Sequence, residues 1–338
     1  MKSLRYIVSL LTLCIVALSC EREDNPHYPI EGSGRPIVFA VESEWPEISK
    51  AAINSVEDMK RLRFRVWGMW NQNPDDQYFS NESSAVFLSS GTDFSYQNDE
   101  WKCTYEAEWY EGYYNFAAFY PNMSGDHSSE VIKTSAAGST TIEYISELKF
   151  NFYNFSLGNP QFDCMYAFSN VDNSTNTAST VNLKFDHLFS LLTINIAANK
   201  TTDLSPKLDV TIYGIHNSIT GPVTITQTEV ITNYGTQNQQ RTVSVTNNLK
   251  DLLKNSTPST ESSTYKKVSY INEGYGSVDF ITPVSQLIVF PENLEETPLT
   301  IKVDFKDEAG TITKTLTATI NSGEWQSGRS YAYTLLTN

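Results

Sequence analysis

Leu299-Thr300-Ile301-Lys302-Val303-Asp304-Phe305-Lys306 decides the fold class. Leu299, Ile301, Val303 and Phe305 alternate with Thr300, Lys302, Asp304 and Lys306. In a strand, successive side chains point to opposite faces, so this segment has one apolar face and one polar face. The pattern recurs along the chain. Val181, Leu183 and Phe185 share a face, as do Leu192, Ile194 and Ile196, then Leu208, Val210 and Ile212. Val223 with Ile225, Val243 with Val245, and Leu316, Ala318 and Ile320 follow the same rule. Each set predicts one face inward and one in water, as the antiparallel sheets of a sandwich require. Helical signals are short. Ser55–Arg61 has a candidate cap at Ser55 with Asp58 three residues on, and Asn248–Lys254 offers a turn or two. Neither is long enough to cover a sheet. The chain reads as all-β with sandwich architecture.

A polar run, Ser169-Asn170-Val171-Asp172-Asn173-Ser174-Thr175-Asn176-Thr177, interrupts the strand pattern. Five of the six tryptophans (Trp45, Trp67, Trp70, Trp101, Trp109) precede it and only Trp325 follows. That asymmetry predicts two separately built sandwiches, residues 36–175 and 176–338. The chain has 338 residues, a length that suits two domains.

The N-terminus carries an address. Lys2 and Arg5 precede the apolar run Ile7–Leu18, and Ser19 stands before Cys20. The apolar run is shorter than the roughly 20 residues that a helical span needs, so residues 1–19 read as a secretory signal peptide. Ala17-Leu18-Ser19-Cys20 resembles a lipobox, which makes Cys20 the expected lipidated first residue of the mature chain. Residues 20–35 follow as a tether, charged at Glu21-Arg22-Glu23-Asp24 and broken by Pro26, Pro29, Gly32 and Gly34. The acidic run is similar to the surface-export signal of Bacteroidia-type lipoproteins. The expected place is the outer face of the outer membrane.

Loss of residues 1–19 removes two basic residues and no acidic one, so the net charge moves from −15 to −17. That charge repels nucleic acid and anionic lipid head groups, and no nucleic-acid partner is expected. Cys103 and Cys164 remain after processing. They read either as two isolated core cysteines or as a bridge permitted by the compartment.

No constellation for chemistry emerges. His27, His127, His187 and His216 stand far apart, with no zinc spacing. Nucleophile elbow, phosphate loop and EF-hand patterns are lacking. Asp75-Asp76 and Glu295-Glu296 read as solvated loop acids. His187 reads as structural, its ring bonded to backbone. The sequence predicts no enzyme, cofactor or metal site. The dense aromatics Trp101, Tyr105, Trp109, Tyr110, Tyr113, Tyr114, Phe116, Phe119 and Tyr120 read as core, because Tyr114, Phe116, Ala118 and Tyr120 share one strand face; glycan stacking is the alternative.

Several segments, taken in order, resemble the fimbrillin superfamily, the Mfa-like and FimA-like subunits of type V pili. They are Phe64–Trp70, Trp101 with Tyr113–Pro121, Asp163–Ala167 with Leu183–Leu188, Leu287–Glu292 and Gly323–Tyr333. The resemblance implies two transthyretin-like sandwiches in tandem, a lipoprotein precursor and assembly by strand exchange. A protease removes the first strand, and another subunit's C-terminal strand fills the vacated central groove. Mapped here, Ile37, Val38, Phe39, Ala40 and Val41 form the removable strand. Lys50, Arg61 and Arg63 are candidate cuts. Tyr331, Tyr333 and Leu335 form a candidate donor strand, or simply the last strand of their own domain. Stalk subunits usually carry an Arg after the first strand where Lys50-Ala51 stands here, which favours a tip or anchor subunit. The expected partners are other pilus subunits and, through Cys20, the membrane. The competing reading is a surface glycan-binding lipoprotein of the outer membrane.

Overall fold

The computed structural model describes residues 34–43, 59–61, 63–72, 86, 90–105, 107–136, 139–157, 163–198, 207–264, 266–271 and 281–337. Among them, β1 (Val38–Ser43), β2 (Phe64–Asn71), β3 (Thr92–Gln97), β4 (Glu100–Lys102), β5 (Tyr113–Tyr120), β6 (Asp126–Ala136), β7 (Ser139–Ser156), β8 (Met165–Asp172) and β9 (Thr180–His187) come first. Then follow β10 (Ser190–Ala198), β11 (Lys207–Tyr213), β12 (Ser218–Thr232), β13 (Gln240–Asn247), the short helix α1 (Leu249–Leu253), β14 (Lys266–Ile271), β15 (Ile281–Val289), β16 (Leu299–Lys306), β17 (Ile312–Ile320) and β18 (Ser330–Thr337). The chain is all-β, as its alternation predicts, and α1 falls in the expected Asn248–Lys254.

Four sheets form. A seven-stranded sheet runs β1-β9-β8-β5-β2-β3-β4, and its edge strands β1 and β4 curl back toward each other. A three-stranded sheet, β15-β10-β18, faces a four-stranded sheet, β14-β11-β16-β17. The fourth sheet, β13-β12-β7-β6, joins strands from both sides of residue 175, because β7 pairs with β12 from Ser156↔Ser218 to Ile142↔Ile231. Pairing is antiparallel except at two edges: β1 runs parallel to β9, and β18 runs parallel to β10.

Three large cores follow from this layering. The first fills the curled sheet with Phe64, Trp101, Trp109, Tyr114, Phe116, Val181 and Phe185. Tyr114, Phe116, Ala118 and Tyr120 are therefore core, as their shared face predicts, while Tyr105, Tyr110 and Tyr113 are half-buried. The second core lies between the back of that sheet and β7–β12, where the Phe119 and Phe150 rings stand 4.2 Å apart. The third holds Leu192, Ile194, Val210, Ile301, Val303 and Trp325. Each buried large side chain here contributes about 1.5–3 kcal/mol of transfer free energy.

Some expectations need correction. Val243 is exposed, because β13 is an edge strand whose face is incompletely covered; Val245, Leu316 and Ile320 are half-buried and pack against the cores as expected. Cys103 and Cys164 are both free thiols. The Cys103 thiol donates to the Tyr105 carbonyl at 2.6 Å, while Cys164 sits in the second core and burial pushes its thiol up. His187 is structural but its partner is a carboxylate: Nδ1 lies 2.6 Å from Asp163 Oδ2, both groups buried. Burial raises the Asp163 carboxyl, and the His187 ring pulls it back down.

Candidate functional site

The unusual features of this fold are its two parallel edges. β1 lies on β9 in register Phe39↔Val181 and Val41↔Leu183. Its alternation sends Ile37 and Phe39 into the first core and leaves Val38 outside. The Phe39 ring meets Phe94 edge-on at 4.9 Å and Phe116 at 5.5 Å. Edge-to-face pairs of this kind add about 0.5–1.5 kcal/mol beyond burial. Val41 is half-buried against the same core.

Polar contacts hold the entry to β1. The Ile37 amide donates to the Ala107 carbonyl at 2.8 Å, and the Trp109 amide donates to the Arg35 carbonyl at 2.9 Å. Together with the Pro36↔Glu108 bridge, these make a short second flank for the strand. Beyond that bridge β1 is an edge strand, so the central position implied by the resemblance is corrected to an edge. The Arg35 guanidinium donates to the Asn176 carbonyl and side-chain Oδ1, both at 2.6 Å, and to the Ala178 carbonyl at 3.0 Å. Asn173 shapes this loop: it is fully buried, donates to the Tyr110 carbonyl and accepts from the Ala178 amide. Sequence reasoning missed Arg35 and Asn173. Only their polar setting in the turn hinted at a role, and no spacing links them.

The second parallel edge mirrors the first. β18 lies on β10 in register Leu192↔Tyr331, Ile194↔Tyr333 and Ile196↔Leu335. Tyr331, Tyr333 and Leu335 turn inward and are half-buried, while Leu336 is 70% exposed. Trp325 beneath them is fully buried, and its Nε1 donates to the Tyr333 hydroxyl at 3.1 Å. The Tyr331 hydroxyl accepts from the Gln326 amide at 2.9 Å. The strand thus completes the third core of its own chain.

The other expected positions are dispersed. Arg61 lies in an exposed turn, and Arg63 is exposed directly before the fully buried Phe64 of β2. Cys20 and Lys50 lie outside the described residues. Glu295 and Glu296 are exposed, and no group of metal-binding side chains forms among the described residues. No helix among the described residues is long and apolar enough to cross a membrane.

The profile of a family described as fimbrillin-like matches residues 58–338. No curated protein matches the chain. Among solved structures, the chain is similar to a candidate cell adhesion protein from Bacteroides ovatus at 12% identity and a TM-score of 0.46, covering 89% of this chain and 92% of that one. A candidate cell adhesion protein from Bacteroides uniformis is 12% identical, with a TM-score of 0.42 over 91% of this chain and 94% of the other. The fimbrial anchor protein Mfa2 from Porphyromonas gingivalis is 10% identical, with a TM-score of 0.26 over 83% of this chain and 81% of the other.

Proposed function

The chain belongs to the fimbrillin-like family, and from that membership we propose that it is a structural subunit of a cell-surface fimbria that joins its neighbours by strand exchange. Membership sets it among structural proteins rather than enzymes. In this reading the lipid on Cys20 holds the exported chain to the outer membrane, and β1 occupies the place that another subunit's strand takes over. The observation that carries the reading is β1 itself: a six-residue strand on a sheet edge, separate in sequence from its partner β9, that plugs Ile37 and Phe39 into the main core. Its removal uncovers the β9 edge beside Phe94, Phe116, Val181 and Leu183. Such an edge demands a replacement strand. Tyr331, Tyr333 and Leu335 repeat the two-residue spacing and parallel direction of Ile37, Phe39 and Val41.

A cut at Arg61 stops short of β2 but removes the fully buried Met59 from the first core, and a cut at Arg63 abuts the buried Phe64. Lys50-Ala51 is unsuited to an arginine-specific enzyme, and Arg35 fastens the strand to the 176–178 loop. These features support an accessory place, tip or anchor, in which β1 is retained longer than in a stalk subunit. Trp101, Trp109, Tyr114, Phe116, Phe119 and Tyr120 of the dense aromatic run supply no glycan platform, because they are buried.

The test is treatment of the lipid-free protein with a trypsin-like protease, followed by electrophoresis without boiling. A ladder of heat-labile oligomers is expected after release of β1. Clean loss of Ile37–Val41 with monomer alone overturns strand exchange.

A further inference from the structure

The layer between the seven-stranded sheet and β7–β12 changes character at one level on four strands. On β5 the inward face runs Phe119, Ala117, Asn115, and on β8 it runs Tyr166, Phe168, Asn170. Facing them, β7 runs Phe150, Leu148, Ser146, and β12 runs Val223, Ile225, Gln227, Glu229. Apolar pairs give way together to polar ones, and apolar packing resumes beyond them around Val131 and Ile142. A polar layer inside a core is tolerated only when its groups are bonded. Here a chain of bonds crosses the interface. Asn115 Nδ2 donates to Ser146 Oγ at 2.7 Å and to Asn170 Oδ1 at 2.6 Å. Asn170 Nδ2 donates to Glu229 Oε2 at 2.7 Å, and Arg241 grips the same buried carboxylate through Nε and Nη2.

One group breaks the chain. Asn115 is 2% exposed, and its Oδ1 has no hydrogen-bond partner among the described residues. Asn115 lines a cavity of about 190 Å³. Glu229 shares the floor, half-buried Tyr113, Tyr144 and Tyr234 form walls, and exposed Gln239 and Arg241 form the rim. Burial pushes the Tyr144 hydroxyl up, with Tyr234, Glu229, Tyr113 and Asp172 beside it.

We infer that this cavity binds a single neutral sugar ring. Three phenol rings offer apolar walls for the C–H face of a pyranose. Amides and hydroxyls both donate and accept, which matches sugar hydroxyls. The buried carboxylate is neutralised by Arg241 and the remaining charge on the lining is the exposed carboxylate of Asp172, so the site carries no unpaired cation for a phosphate or carboxylate ligand. The volume is below the roughly 300–1,000 Å³ of drug-sized sites, which limits the ligand to one ring. The inference does not depend on strand exchange.

The test uses the intact protein with methyl glycosides of glucose, galactose, mannose, fucose and N-acetylglucosamine, read by saturation-transfer NMR and titration calorimetry. At least one glycoside should bind with millimolar affinity. Tyr234→Ala and the rim change Gln239→Ala should each weaken it about tenfold or more at an unchanged melting temperature. Asn115→Leu should abolish it; if that variant fails to fold, the other two still decide. No transfer to any glycoside overturns the inference. So does transfer that survives both Tyr234→Ala and Gln239→Ala, or binding of free amino acids in place of sugars.

Discussion

Phe39→Ala separates β1 from the body of the protein in a measurable way. Phe39 is 4% exposed and touches two buried rings, whereas its neighbour Val38 is 42% exposed on the same strand. Core Phe→Ala changes cost about 3–5 kcal/mol, and an edge position relaxes most easily, so about 3 kcal/mol is expected. If that loss falls on local opening of β1, amide exchange there should accelerate about 150-fold, at 1.4 kcal/mol per tenfold. Val38→Ala should change it by less than about 0.5 kcal/mol, because no core contact is lost. Hydrogen exchange read by mass spectrometry distinguishes peptides of β1 and β9 from those of β2, whose Val66 is fully buried. Equal exchange of β1 in both variants would refute the anchoring role of Phe39. Equal acceleration of β2 and β1 peptides would refute it too, since the strand is then not a separable unit.

Three further outcomes are expected. His127 has both ring nitrogens buried without a partner among the described residues, and burial holds its pKa down to about 3. Its folded pKa is depressed below the unfolded value, so stability is lost as pH falls from about 6.5 toward about 3, by up to roughly 1.4 kcal/mol per pH unit; His127→Phe should flatten that slope in urea titrations. Arg241→Ala strands the buried Glu229 carboxylate and should cost about 3 kcal/mol in urea unfolding, with Glu229→Gln restoring most of it; a cost under about 0.5 kcal/mol contradicts the pair's role. Gly214 has φ +96°, and an added Cβ would stand 2.1 Å from the Pro298 carbonyl oxygen, so Gly214→Ala should lower thermal stability by about 2 kcal/mol or more.

Period-two alternation made the strands legible, and Leu299–Phe305 or Val181–Phe185 needed nothing more. Alternation names two faces but not how far each is covered, which is why Val243 misled. Pairing between distant segments is invisible to it as well. Nothing local in Ile37–Val41 announces a parallel partner at Val181, and nothing in β7 announces β12 across the polar run. Asn115, Ser146, Asn170 and Glu229 each look like an ordinary outward position in a strand. Only their shared level, set by register on four strands, gathers them into one layer.

The short link between β9 and β10 has a mechanical consequence. Leu188 and Phe189 alone separate the two strands, and both are fully buried. The Leu188 amide is bonded to the Cys164 carbonyl, and the Phe189 carbonyl accepts from the Gly328 amide, each at 2.8 Å. A pull applied at the β1 edge therefore enters β9, crosses two clamped residues and leaves along β10 to the β18 edge. The load path holds no slack loop to pay out. Both edge ladders are parallel and, drawn lengthwise, resist in shear, with their bonds sharing tension instead of unzipping in turn. Along β9 and β10 the molecule is therefore stiff between its two parallel edges.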